Sequence, residues 1–220
     1  MFETHRERLL LSLDVAHAAY YRSATFGGPS LHFHLRALEA GKDGDLGRFT
    51  GSVYALLTAW GMHRMGRGGS KMREFEDFEA SLKPLWPVVL RLQQATPENL
   101  GDAGWRELSK VFCGIRCMAT RTSLVGNSKV MAHALPNLVA PVDREYTLRF
   151  LFGSTYIAND LEREWGTLQK ILSGFFYPLL RSEPFKLKAR EWQERCAEFK
   201  WDTSPLKIAD NLVIGLKSMD

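Results

Sequence analysis

An all-α globular fold of roughly ten helices is predicted for this chain, and three observations predict it. Apolar residues recur at spacings of three and four in nearly every long segment. Alternation with a period of two over strand length hardly occurs. Short clusters of Gly and Pro interrupt the pattern at intervals that suit helix connections, at Gly27–Pro29, Gly41–Gly47, Gly66–Ser70, Pro97–Gly104 and Pro136–Pro141.

Taken in order, the first clear stripe is Leu46, Phe49, Val53, Leu56, Leu57 and Trp60, one face of a helix that the glycine-rich tract after Met65 ends. Leu108, Val111, Phe112, Ile115 and Met118 mark a second helix. Leu161, Trp165, Leu168, Leu172, Phe175, Phe176 and Leu179 extend the spacing over about five turns, until Pro178 and Pro184 perturb or close it. This is the expected central core helix. Thr203-Ser204-Pro205 resembles an N-cap followed by proline at the first helical position, leading into Ala209, Leu212, Val213 and Leu216.

A chain of 220 residues with 45% hydrophobic content buries a sizeable core. One domain over 1–220 is expected, or two lobes, 1–100 and 101–220, sharing a cleft. No stretch approaches the roughly 18 apolar residues of a membrane span, and Asp14 and His17 break the only apolar run near the start. A cytoplasmic protein is expected. The three cysteines read as buried thiols, and no metal or cofactor is expected: Cys113 and Cys117 lack a second Cys or His pair, and His32 and His34 fall on different helix faces. Walker, dinucleotide, zinc-protease and nucleophile-elbow motifs are absent. Glu162 and Glu164 flank Arg163 and read as surface charge.

The net charge is only +4, but its distribution is uneven. From Met62 to Arg73 there are four cations, Arg64, Arg67, Lys71 and Arg73, and no acid. From Arg106 to Arg149 there are seven basic residues against three acidic ones. Such tracts suit a polyanion, because each neutralised phosphate releases a condensed counterion; they also suit a solvated face. In the first tract the glycines permit close backbone approach, and Trp60 could stack on a displaced base. The plainer reading is a glycine C-cap followed by basic surface.

The segment with the most chemistry is Leu124-Val125-Gly126-Asn127-Ser128-Lys129-Val130 followed by Val139-Ala140-Pro141-Val142-Asp143. Gly126 and Asn127 enter positive φ easily, so a reversal with outward amides is expected there, capped by Asn127 or Ser128. Outward amides at a helix start bind phosphate, and Arg121 and Lys129 would add charge. These residues resemble the helix-hairpin-helix DNA glycosylases of the 8-oxoguanine and endonuclease III type. The resemblance implies a helix-hairpin-helix element within the all-α fold and DNA, in preference to RNA, as partner. It also implies Lys129 as the nucleophile on the sugar and Asp143 as the carboxylate that supports it, in a DNA N-glycosylase and abasic-site lyase. A binding module without chemistry, or a helical protein-interaction domain, are the alternatives. Each residue has a plainer use: Lys129 as a phosphate contact or solvated lysine, Asp143 as an N-cap, and His133 and Tyr146 as core residues rather than base contacts.

Overall fold

The computed structural model describes residues 2–23, 27–66 and 69–219. It is all-α, with more than ten helices and almost no strand. In chain order the helices begin with α1 (Phe2–Leu10), α2 (Leu13–Ser23), α3 (Pro29–Lys42) and α4 (Leu46–Ala59). A hairpin of two-residue strands follows, β1 (Met65–Gly66) and β2 (Gly69–Ser70). Next come α5 (Phe75–Leu82), a 3-10 turn at 83–85, α6 (Trp86–Leu92), α7 (Asp102–Gly114) and α8 (Leu124–Ala134). A π-turn at 144–148 leads into α9 (Arg149–Phe152), and α10 (Leu161–Ile171) runs through a second π-turn at 172–176 into α11 (Tyr177–Arg181). The chain closes with α12 (Glu183–Glu194) and α13 (Pro205–Lys217).

The chain forms two compact units, and they do not divide at residue 100. One comprises Met1–Thr25, Ala140–Tyr156 and Thr167–Asp220; the other comprises Phe26–Val139 and Ile157–Gly166. The first unit is therefore assembled from three separate stretches of chain.

In that first unit α13 packs along α2 at unusually close range, because Gly215 brings backbone against the Ala16 carbonyl. The apolar stripe of α13, Leu212, Val213 and Leu216, is buried with Leu13, Ala16 and Tyr20 of α2. The expected cap is present: the Ser204 hydroxyl accepts from Lys207 N at 3.1 Å, with Pro205 in the first turn. Ser204→Ala should lower stability by about 1 kcal/mol, read as a shift in the chemical-denaturation midpoint, with Ser204→Gly losing only a few tenths. Beneath the same crossing lies a polar cluster that periodicity does not announce. His17 and Asp202, each 4% exposed, meet at 2.7 Å; the imidazole stacks on Trp192 with ring centroids 3.9 Å apart. Asn211 Nδ2 donates to the other Asp202 oxygen at 2.8 Å. Burial first, and the Asp202 carboxylate second, push the Tyr21 hydroxyl well above the ordinary tyrosine range.

The second unit is built on the α3–α4 hairpin. Asp45 caps α4 by accepting from Arg48 N at 3.0 Å, and the turn before it needs Gly44 at φ +73°. Phe49, Val53, Leu56 and Leu57 of the expected stripe are buried in this unit's core, with Phe78, Leu82, Leu108, Phe112 and Val130. Trp60 is the C-cap residue of α4, which ends ahead of the glycine-rich tract after Met65: Gly61 at φ +72° lets Gly61 N and Met62 N return to the Thr58 and Leu57 carbonyls in a Schellman arrangement.

The helix expected to carry Leu108 through Met118 stops at Gly114, since Ile115 is extended (ψ 130°) and Met118 joins a β-bridge. The two prolines act on the long helix through Leu179 as expected: a π-turn precedes Pro178, an early residue of α11, and the helix stops at Arg181, ahead of Pro184. Among the described residues no helix is long and apolar enough to cross a membrane.

Candidate nucleic-acid interface

The two basic tracts of the sequence meet edge to edge in the second unit. Met65 pairs with Ser70 and Gly66 with Gly69, antiparallel. The same strand continues past β2 and pairs on its other side, through the Met72–Met118 bridge, with Arg73 N donating to Cys117 O (3.0 Å) and Ala119 N to Lys71 O (2.8 Å). Residues 65–66, 69–73 and 117–119 thus run side by side as a small ribbon. The bridge register places Lys71 opposite Ala119.

Strand alternation then sorts the side chains. Met72 faces inward and is 3% exposed, with the Thr58 hydroxyl 3.9 Å from its sulfur. Lys71 and Arg73 take the opposite parity, while Arg64 lies just before β1 and Arg121 in the bend that follows the bridge. Arg64, Lys71 and Arg121 are exposed; Arg73 is half-exposed and lies 3.8 Å from Asp77. The Tyr54 hydroxyl of α4 pins the ribbon by donating to Arg73 O at 2.7 Å. Sequence reasoning missed this anchor, because Tyr54 is only a half-buried aromatic on a helix and its partner lies nineteen residues on. Arg67 lies outside the described residues.

The expected hairpin is where the structure corrects the sequence reading most. The chain reverses over residues 119–123, and Leu124 to Asn127 already belong to α8. Gly126, Asn127 and Ser128 are buried within the helix and do not present outward amides as a phosphate nest. Neither Asn127 nor Ser128 caps it. That role falls to Glu164, 1% exposed, whose Oε2 accepts from Ser123 N at 2.7 Å and Leu124 N at 2.6 Å. Glu164 is therefore not surface charge: a carboxylate of the protein already occupies the anion position at this helix start.

Gly126 and Asn127 serve packing instead. A Cβ on Gly126 would sit 2.7 Å from both Cys117 Sγ and Met118 Cγ, so glycine allows the ribbon edge to lie on α8. Asn127 Nδ2 donates to Phe112 O (2.8 Å) and Ile115 O (3.2 Å), satisfying carbonyls at the end of α7, while its Oδ1 accepts from the Cys117 thiol at 3.4 Å. Burial pushes that thiol up to about 12. Of the three cysteines expected to be buried, only Cys117 fully is; Cys113 is half-buried and Cys196 is exposed. Iodoacetamide near neutral pH should therefore alkylate Cys196 in the native protein and reach Cys117 only after unfolding, which peptide mass analysis would read directly.

Lys129 lies one turn along α8, half-exposed, its ammonium 4.9 Å from the centroid of the Trp60 ring. His133, one further turn on, contacts the same indole with centroids 5.8 Å apart. His133 is 3% exposed. Its Nδ1–H donates to the Lys129 carbonyl at 2.7 Å, and its Nε2 shares a hydrogen bond with His34 Nδ1 at 2.8 Å. His133 is a satisfied core histidine, and Trp60 rests across Lys129 and His133.

Asp143 and Tyr146 belong to the first unit, Lys129 to the second. Asp143 is an N-cap: its Oδ1 accepts from Glu145 N at 2.9 Å, and its own N–H donates to Thr147 Oγ1 at 3.2 Å. Tyr146 is half-exposed on the π-turn. Among the described residues no group of three or more His, Cys, Asp or Glu side chains is arranged to hold a metal ion. No family model, curated protein or solved structure matches the chain.

Proposed function

We propose that this chain acts on nucleic acid and engages the phosphate backbone through the outward face of the ribbon. One observation carries the reading: the Met72–Met118 bridge brings the two basic tracts side by side, and Arg64, Lys71 and Arg121 within them are all exposed. DNA is the expected partner over RNA, on the resemblance of residues 124–143 to the helix-hairpin-helix glycosylases. Fluorescence anisotropy with a labelled duplex tests it. The combined R64Q, K71Q and R121Q variant should bind at least about tenfold more weakly than the parent at moderate salt. Equal affinity of the two would end the assignment of this face.

A second reading is base excision, with Lys129 as nucleophile and Asp143 as its carboxylate partner. It is favoured by Lys129 lying half-exposed against Trp60, the residue from which the basic tract departs. Borohydride trapping on duplexes carrying an abasic site, 8-oxoguanine or uracil decides it. A covalent adduct that disappears in Lys129→Ala and weakens in Asp143→Asn is the expected result. No adduct on any of the three leaves binding without chemistry.

A further inference from the structure

We infer that the buried imidazole pair His34–His133 is a proton-sensitive fastening between α3 and α8, able to hold one positive charge and parted by a second. The two residues are 2% and 3% exposed, and His34 Nδ1 lies 2.8 Å from His133 Nε2. At that separation one hydrogen fits between the nitrogens and two do not. On its other side His133 Nδ1 is 2.7 Å from the Lys129 carbonyl, which can only accept, so this nitrogen keeps its hydrogen. A charged imidazolium carries hydrogen on both nitrogens. With one ring of the pair charged, the bond between them still has a donor and an acceptor. With both charged, two N–H groups confront each other, and parting the helices relieves them.

Three side chains from other positions stand around the pair. Trp60, at the end of α4, covers His133 with ring centroids 5.8 Å apart. The Lys129 ammonium of α8 lies 4.9 Å from the centroid of the same indole. Gln93, just past α6, ties α3 to α8 by donating to the Gly41 and Ala134 carbonyls. Each of these either lacks charge or adds to the repulsion. The other titratable side chains of α3, His32, Arg36, Glu39 and Lys42, are exposed, as is Arg48 of α4.

In the unfolded chain both imidazoles are free in water and take up protons below about pH 6.5. Well below that value the unfolded chain binds at least one proton more than the folded one, so the stability present above it is lost as the pH falls. Each proton of difference changes the folding constant about tenfold per pH unit. Acidification therefore acts on the seating of α8, the helix that carries Lys129 and receives the ribbon edge at Gly126.

The experiment is urea unfolding of the full chain in steps from about pH 8 to about pH 5, for the parent and for the double variant H34Q/H133Q, whose amides can hydrogen-bond without titrating. Between about pH 6.5 and 5 the parent's folding constant should fall by about tenfold or more beyond the fall in the double variant, all other titrating groups being common to both. A difference between the two proteins that stays constant with pH would make the pair packing alone and overturn the inference. If the double variant does not fold, the parent decides the matter through NMR titration of its imidazole signals in the native state. Uptake of no more than one proton by the two buried rings before the chain unfolds supports the inference; full and independent titration of both in the folded chain overturns it.

Discussion

Gly215→Ala should destabilise the first unit by about 3 kcal/mol or more, measured as a fall in the urea midpoint with the slope unchanged. A methyl group there would land on the carbonyl oxygen of Ala16 and lie 2.8 Å from Tyr20 N. Both obstacles are backbone of α2, so no rotamer change relieves the overlap. The helices must part, and Leu212, Val213 and Leu216 lose the packing that makes α13 part of the core. The informative control is Gly51→Ala, also a helical glycine but with no neighbour within 4 Å of the added methyl group. There the better helix propensity of alanine should stabilise by roughly 0.5–1 kcal/mol. Equal and small effects at the two sites would refute the close crossing of α2 and α13.

Glu164→Ala should cost the second unit about 3–5 kcal/mol. The buried Leu124 amide and the part-buried Ser123 amide lose a charged acceptor, and each hydrogen bond to an ionised group contributes about 1.5–3 kcal/mol. The helix start also loses the negative charge that opposes its dipole. Glu164→Gln keeps an acceptor oxygen without the charge and should recover part of the loss. Hydrogen exchange offers a local readout: the amides of Ser123 and Leu124 should lose protection in Glu164→Ala ahead of those in the middle of α8. A loss below about 1 kcal/mol would mean that the carboxylate is not the cap of α8.

These two positions also mark where local sequence stops being informative. The caps at Asp45 and Ser204 are interactions across three residues, and Ser204 with Pro205 is readable because donor, acceptor and proline fall within one turn. The stripe from Leu46 to Leu57 is readable because a helix face must meet a core whatever the core is made of. Gly126-Asn127 misleads for the converse reason. Both residue types favour reversals, yet the α8 amides are satisfied by Glu164, forty residues away, and Asn127 is better used on the carbonyls that end α7. No local propensity carries a capping partner so distant. The ribbon has the same character. The charge of its two tracts is plain in the sequence, but their adjacency depends on one bridge between residues 72 and 118. Lys129 and Asp143 are legible as a resemblance, while their placements on α8 and at the π-turn follow from packing on one side and capping on the other.

The interrupted course of the first unit bears on how the chain is made. Its opening helices, residues 2–23, leave the ribosome long before their partner α13 at 205–217. At roughly 5–20 residues per second, about 10 to 40 s separate the two. Throughout that interval Leu13, Ala16 and Tyr20 have no α13 to cover them, whereas almost all of the second unit is a continuous run that can close as it emerges. Birth order therefore favours the second unit as the earlier body, with α1 and α2 left uncovered until α13 emerges and seats Gly215 against Ala16.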